Sequence, residues 1–208
     1  MSEKIVDSEL GLDLRQLSEA ESTATVGFRV WSVGRPVVVV GRSVLVSKEV
    51  DIAFCQQEGI PVVERPSGGR SVLIGPGTVQ YTFALPYSLD DELGSIAGSK
   101  AFCNRLLRRG SPELAALDED ESGDLVRDHR KIAGLALRRG RKAMLLHGSI
   151  LVTADLGLIA DALRHPQREP AYRSGRSHRD FLDNLGVFDA EAMNARVREL
   201  LALPSDKS

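Results

Sequence analysis

Cysteine is scarce in this chain: Cys55 and Cys103 stand far apart, outside any metal-ligand spacing. Two thiols so placed exclude a disulfide framework and a cysteine-built zinc site, and they fit a reducing compartment. Long apolar runs are missing as well. The longest covers residues 36–40, far too short for a helix that crosses a bilayer. The opening residues, MSEKIVDSELGLDLRQ, are charged and lack the apolar stretch of a secretory signal. The expectation is a soluble, cytoplasmic protein with no membrane partner. Neither sign of charge dominates: the net charge is −2 and the pI is near 6.1, which gives no reason to expect a nucleic-acid partner. Any electrostatic steering must come from a local patch.

What is present is enough for one α/β domain. The 208 residues are 42% apolar and 27% charged, ordinary for a globular core with a solvated surface. Leu10, Leu14 and Leu17 share a face, which predicts a helix over 10–20. Residues 27–33 alternate as a strand, and the β-branched run 36–41 reads as a strand buried on both faces. A helix is expected over 46–58 and a strand over 60–66. Strands 72–74 and 79–85 form an expected hairpin around Gly75-Pro76-Gly77. A helix over 93–109 and an acidic connection, 111–123, follow. Residues 124–137 and 142–153 read as two long strands around a basic turn. Helices near 154–163 and 189–202 enclose a basic loop, 165–179. With no repeat or linker in view, the economical architecture is a single α+β domain over 1–208, a mixed β-sheet flanked by helices.

Three clusters could carry chemistry. Arg65-Pro66-Ser67-Gly68-Gly69-Arg70-Ser71 lies between two expected strands. Adjacent glycines let a backbone approach a ligand and turn several N–H groups one way, and flanking arginines suit a phosphate or carboxylate. The same residues also describe a tight turn with solvated arginines. In His129-Arg130-Lys131-Ile132-Ala133-Gly134, followed by Arg138, an inward lysine is a fixed positive charge for an oxyanion; an outward one is a solvated strand residue. His147 and Gly148 interrupt an apolar strand, as a site or as a satisfied core histidine beside a close approach. No G-x-S-x-G or Walker A sequence occurs, and the four histidines have no metal-binding spacing, so no metal site is expected.

Taken in order, these pieces resemble the lipoate–protein ligase A family, within the biotin and lipoate ligase catalytic-domain superfamily. Its R-x-[ST]-G-G-G-x-V turn is matched by Arg65 to Val72. The strand that follows is resembled by Gly77-Thr78-Val79-Gln80-Tyr81-Thr82-Phe83, the N/S-D-L segment by Gly123-Asp124-Leu125, and the lysine motif by Lys131-Ile132-Ala133-Gly134-Leu135-Ala136-Leu137-Arg138. The H-G-[TS]-[IL]-L strand is His147-Gly148-Ser149-Ile150-Leu151, and the likeness runs over roughly residues 10–200.

The resemblance implies an enzyme that attaches lipoate or octanoate, through an acyl-adenylate made with ATP and Mg2+, to a lysine of a lipoyl carrier domain. Such carriers belong to 2-oxoacid dehydrogenases or to glycine-cleavage type proteins. It places Lys131 in the catalytic role. Arg65, Ser67, Gly68, Gly69, Arg70, Ser71, Val72, Asp124, Gly134, Arg138, His147 and Gly148 would bind the acyl and adenylate groups. Val38, Val39, Val40 and Leu73 would join Val72 in walling an acyl tunnel. The chain departs from the family pattern at Arg70, which stands for a third glycine, and at Ile74-Gly75, which stands for His-Asp. Arg70 points to the alternative of an ATP-independent octanoyltransferase using an acyl thioester, although residues 111–124 lack the cysteine such enzymes carry. A binding protein without turnover is the third alternative. The length implies no C-terminal accessory domain, a part that a separate accessory subunit could supply. The arginines of the basic loop, 168, 173, 176 and 179, would dock an acidic carrier or simply be solvated.

Overall fold

A computed structural model describes residues 2–202. The remaining residues of the expected domain, 1 and 203–208, lie outside it. The elements in chain order are α1 (Ser2–Thr23), β1 (Gly27–Trp31), β2 (Val37–Gly41), α2 (Val46–Glu49), α3 (Ile52–Gln57), β3 (Val62–Arg65), β4 (Val72–Ile74) and β5 (Thr78–Pro86). They continue with α4 (Ile96–Gly110), α5 (Pro112–Ala115), β6 (Asp118–Glu119), β7 (Leu125–Arg127), β8 (Arg130–Arg139), β9 (Ala143–Leu151), α6 (Leu156–Ala162), α7 (His178–Phe181) and α8 (Ala190–Leu200). Among the described residues, no helix is long and apolar enough to cross a membrane.

The α+β architecture with flanking helices is as expected, and the strands divide between two sheets. A six-stranded antiparallel sheet runs β1-β5-β9-β8-β7-β6, and a three-stranded mixed sheet runs β3-β2-β4. The expected hairpin of β4 with β5 does not form. β5 pairs along its length with β9 on one edge and with β1 on the other, so it has no free edge for β4. β4 pairs with β2 instead, and Gly75-Pro76-Gly77 carries the chain from one sheet to the other. The strand expected over 124–137 is a hairpin. Asp128 and His129, at φ 50° and 60°, make a two-residue turn with both centres left-handed, which suits the twist of β7 and β8. His129 is therefore an exposed turn residue.

Side-chain alternation gives the large sheet two faces. Phe83 and Leu146, facing partners on β5 and β9, join α4 and α8 in the main core. Ala84 and Leu145, one step along each strand, face the other way and receive Leu17 and Ala20 of α1. The buried stripe of α1 runs through Val6, Leu10, Asp13, Leu17 and Ala20; Leu14, expected on that stripe, is 41% exposed. Asp13 thus occupies a position that helical spacing reserves for an apolar side chain. The helix expected over 46–58 breaks where Val50 bridges to Leu163 and Asp51 caps α3 by accepting from the Phe54 N–H at 3.0 Å.

Candidate active site

The turn from β3 to β4 lies over the α1 face of the large sheet. A Cβ on Gly69 would come within 3.5 Å of Ala136 of β8. The turn is held from inside by Arg65, which is 5% exposed. Its guanidinium donates to the carbonyls of Gly68 (2.8 Å), Arg70 (2.7 Å) and Val39 (3.3 Å), and to Ser67 Oγ (3.1 Å). Burial lowers its pKa to about 10, against a smaller opposing effect of Glu49. Arg65 is thus spent on the turn rather than offered to a ligand. Arg138 braces the same turn by donating to the Pro66 carbonyl at 3.2 Å and does not line the cavity.

Arg70, expected to flank a bound phosphate or carboxylate or to be solvated, is neutralised within the protein. Its Nη1 lies 2.6 Å from the carboxylate of Glu49, the last residue of α2. The other Glu49 oxygen accepts from the Ser71 N–H and hydroxyl, each at 3.0 Å. Glu49 is 2% exposed, so this carboxylate replaces its lost water with three donors and one positive charge.

Ser67 is buried and joins a chain of hydrogen bonds that crosses the domain. His147 Nε2 lies 2.6 Å from Ser67 Oγ, and His147 Nδ1 lies 3.0 Å from Asp13 Oδ2 on α1. Arg29 of β1 holds the other Asp13 oxygen at 2.5 Å and also pairs with Glu9. Burial alone would raise the Asp13 pKa. The hydrogen bond and charge of His147, with those of Arg29, outweigh it and keep the carboxyl below its usual range.

Lys131 is the second residue of β8, two positions after the hairpin turn, and its Nζ lies 2.9 Å from Asp124 Oδ2. The same Asp124 oxygen accepts from the Tyr172 hydroxyl at 2.9 Å. A Cβ on Gly134 would stand 2.4 Å from Lys131 Nζ and 3.2 Å from Asp124 Oδ1. Glycine leaves the space that the Lys131 ammonium occupies here, a physical reason for the spacing K-x-x-G. Gly148 has the matching role on the opposite face of the sheet, where a Cβ would fall 2.3 Å from the buried Tyr81 hydroxyl.

These groups surround one cavity of about 440 Å³. Of the residues expected in the site, Arg65, Gly69, Arg70, Ser71, Val72, Asp124, Lys131, Gly134, His147 and Gly148 line it. Ser67, Gly68 and Arg138 are not part of the lining. Leu10, Trp31, Val39, Val72 and Ile74 give it an apolar wall. Val38 and Val40, expected in that wall, alternate away from Val39 into the core around Val50 and Cys55. Sequence reasoning missed Asp13, Glu49, Lys100 and Tyr172. The misplaced acid in the α1 stripe was a readable signal for Asp13. For the other three only the fold brings partners together.

The basic loop forms the far wall rather than a free surface. Arg173 is 4% exposed and lies 4.7 Å over the Phe181 ring, and Arg176 donates to the carbonyls of His129 and Tyr172, both at 2.7 Å. Arg168 and Arg179 remain exposed. Neither cysteine lines the cavity, and burial raises both thiol pKa values, so neither is poised as a thiolate. Among the described residues, no three His, Cys, Asp or Glu side chains gather as metal ligands.

With this geometry in place, likeness to known proteins can be stated. The family model of the lipoyl protein ligase A/B catalytic domain matches residues 9–200. Lipoate–protein ligase 1 of Staphylococcus aureus is 23% identical over 160 residues, covering 77% of this chain but only 48% of that protein. Octanoyltransferase LipM of Kyrpidia tusciae is 27% identical over 198 residues, covering 84% of this chain and 72% of that one. Among solved structures, a lipoate–protein ligase A bound with ATP aligns with a TM-score of 0.70 at 18% identity, over 93% of this chain and 81% of that one. A bipartite lipoate protein ligase from Thermoplasma acidophilum aligns with a TM-score of 0.69 at 19% identity, over 93% of this chain and 82% of that one. At such identities the structural matches speak for the fold.

Proposed function

The chain belongs to the lipoyl protein ligase A/B catalytic domain family, and from that premise we propose that it joins lipoate or octanoate, through an acyl-adenylate, to a lysine of a lipoyl carrier domain. The observation that carries this reading is the Lys131–Asp124 pair, set in a cavity wall that Gly134 keeps open. Lys131 acts by charge. When an acceptor amine attacks the acyl carbon, negative charge grows on the carbonyl oxygen, and an ammonium fixed beside it lowers the barrier. Asp124 and the glycine gap hold that ammonium in one place before the reaction begins. The apolar wall of Leu10, Trp31, Val39, Val72 and Ile74 takes the acyl chain, and the β3–β4 turn closes over its activated end. Holding a mixed anhydride and an amine together supplies much of the rate without a covalent enzyme intermediate.

The cavity is lined by seven Lys and Arg against three Asp and Glu, a surplus that fits the phosphates of a nucleotide. ATP bound there would activate the carboxylate as an adenylate with loss of pyrophosphate. The residues do not fit a magnesium ion held by the protein. Glu49 and Asp124 are already bonded to cations and donors, and no acidic cluster faces the cavity among the described residues.

The second reading is transfer from an acyl thioester without ATP, supported by the likeness to LipM over most of both chains. The buried thiols argue against its cysteine-dependent form. In either reading this domain works as the catalytic unit. The deciding test is mass spectrometry of a lipoyl carrier domain after incubation with this protein. One tube holds lipoate and Mg-ATP, the other an octanoyl-carrier thioester without ATP. A mass gain in the first tube alone is expected; a gain in the second alone would move the chain to the transferases, and silence in both would refute both.

A further inference from the structure

The registers of β1, β5, β9 and β8 set a row of residues across the large sheet: Trp31 opposite Gln80, Gln80 opposite Ser149, and Ser149 opposite Gly134. Every member of the row lines the cavity. At the Gly134 end, the Lys131 ammonium fills the space that a Cβ would take. The other end departs from the apolar wall around it. Gln80 is 4% exposed, and its Nε2 donates to Thr78 Oγ1 at 2.8 Å and to Ser149 Oγ at 3.3 Å. The hydroxyl proton of Thr78 goes to the Gly75 carbonyl at 2.8 Å, so towards Gln80 this oxygen only accepts. That fixes the amide with its nitrogen on Thr78 and leaves Gln80 Oε1 buried, with no partner among the described residues. Trp31 Nε1, on the residue facing Gln80, is likewise buried and unmet. An acceptor and a donor left unpaired on facing residues of a cavity wall are what a ligand group able to give and to take a hydrogen bond would satisfy.

We propose that Gln80 and Trp31 select an acyl chain that carries a hydroxyl near its far end, at about the sixth to eighth carbon. Neighbouring strands lie about 4.8 Å apart, so Gln80, on the second strand from Gly134, is roughly 10 Å along the row. With its carboxyl about 3 Å from the Lys131 ammonium and an advance of roughly 1.2 Å per bond, an extended chain brings those carbons to Gln80. The hydroxyl accepts from the indole N–H and donates to the amide oxygen, whereas a bare alkyl end leaves both unmet. This rests on the acyl-transfer reading above and names the acyl chain within it.

The test is calorimetric titration of the intact chain with octanoate, 6-hydroxyoctanoate and 8-hydroxyoctanoate, comparing wild type with Gln80→Leu and Trp31→Phe. Trp31 is the one tryptophan of the chain, so its emission reports on this corner of the cavity. In the wild type at least one hydroxy acid should bind about tenfold more tightly than octanoate, and it should shift the emission to longer wavelength as the indole N–H gains a partner. Gln80→Leu removes the acceptor and adds apolar surface, and should bring the ratio of affinities to about one. Trp31→Phe keeps a ring without its N–H, and should bring the ratio to about three. Equal binding of octanoate and both hydroxy acids in the wild type, a preference that survives both substitutions, or binding of none of the acids would overturn the subsite. If Gln80→Leu does not fold, Trp31→Phe decides, because it leaves the bonds of the amide in place. Carrier modification measured in parallel separates the two ideas. Transfer without a preference for either hydroxy acid sinks only the subsite, and a preference that depends on Gln80 without transfer of any acyl group sinks only the enzyme reading.

Discussion

One wall of the cavity stands on strands and the other on a connection with little regular structure, and the two treat their charges differently. On the strand side each polar group expected in the site has a fixed partner: Ser67 with His147, His147 with Asp13, Lys131 with Asp124. Such a wall is organised before any ligand arrives, because strands and their neighbours leave no freedom to spend. The wall over 164–182 has only a 3-10 turn at Ala171–Arg173 and the four-residue α7, and among the described residues it holds the one charged side chain of the cavity, Arg173, with a buried atom lacking a hydrogen-bond partner. Tyr172 joins the walls through Asp124. The contrast sets a wall whose expected site groups are already paired against one held by an irregular connection.

The sharpest way to break the comparison is Lys131→Ala. Carrier modification should fall by about a thousandfold, roughly 4 kcal/mol of transition-state stabilisation, while the melting temperature stays within a few degrees. A variant that modified its carrier at the wild-type rate would remove Lys131 from the chemistry. Next comes Gly134→Ala, whose methyl group would displace Lys131 without touching its charge. Single-turnover rates should drop by roughly 10- to 100-fold, as expected when a positioned group is shifted by about 1 Å. Glu49→Ala tests the turn. It strips partners from Arg70 and the Ser71 N–H, and chemical denaturation should show a loss of about 2 kcal/mol, less than for a fully buried pair because Arg70 is partly exposed.

The smallest effect belongs to the connection. Burial, helped by Arg173 and His165, lowers the His178 pKa from 6.5 to about 4, so the fold holds this ring neutral. The unfolded chain takes up the proton first as pH falls. Stability is therefore fully present above about pH 6.5 and declines towards pH 4, by on the order of 1–2 kcal/mol. In His178→Gln the denaturation midpoint should vary less across that window; an unchanged pH slope would show that His178 is not held neutral.

Sequence alone conveyed the chemistry of the strand wall better than its scaffolding. Gly134 was legible because it makes room for Lys131 at a short, fixed spacing, and a pattern records such a constraint; Gly148 makes room for Tyr81, a partner distant in sequence, and stood out only as a glycine inside an apolar strand. Asp13 and His147 are 134 positions apart, and Glu49 and Arg70 are 21 apart, so no local rule links them. Both acids sat inside helices read only for their apolar stripes. Gly75-Pro76-Gly77 was correctly a reversal, but turn chemistry does not say which strand waits on the far side. The break at Asp128-His129 was missed because neither residue is the glycine that a left-handed turn usually favours.

The bond between Asp13 and His147 also has a consequence in time. Asp13 has two partners, of which Arg29 is the nearer in sequence. Its second partner is made near the end of the sheet, after β5 and β8 have been synthesised. The second contact of this carboxylate therefore requires β9, whose His147 also holds Ser67 of the glycine turn, so one side chain ties helix and turn together. The strand wall of the site is completed by β9 and held by α1.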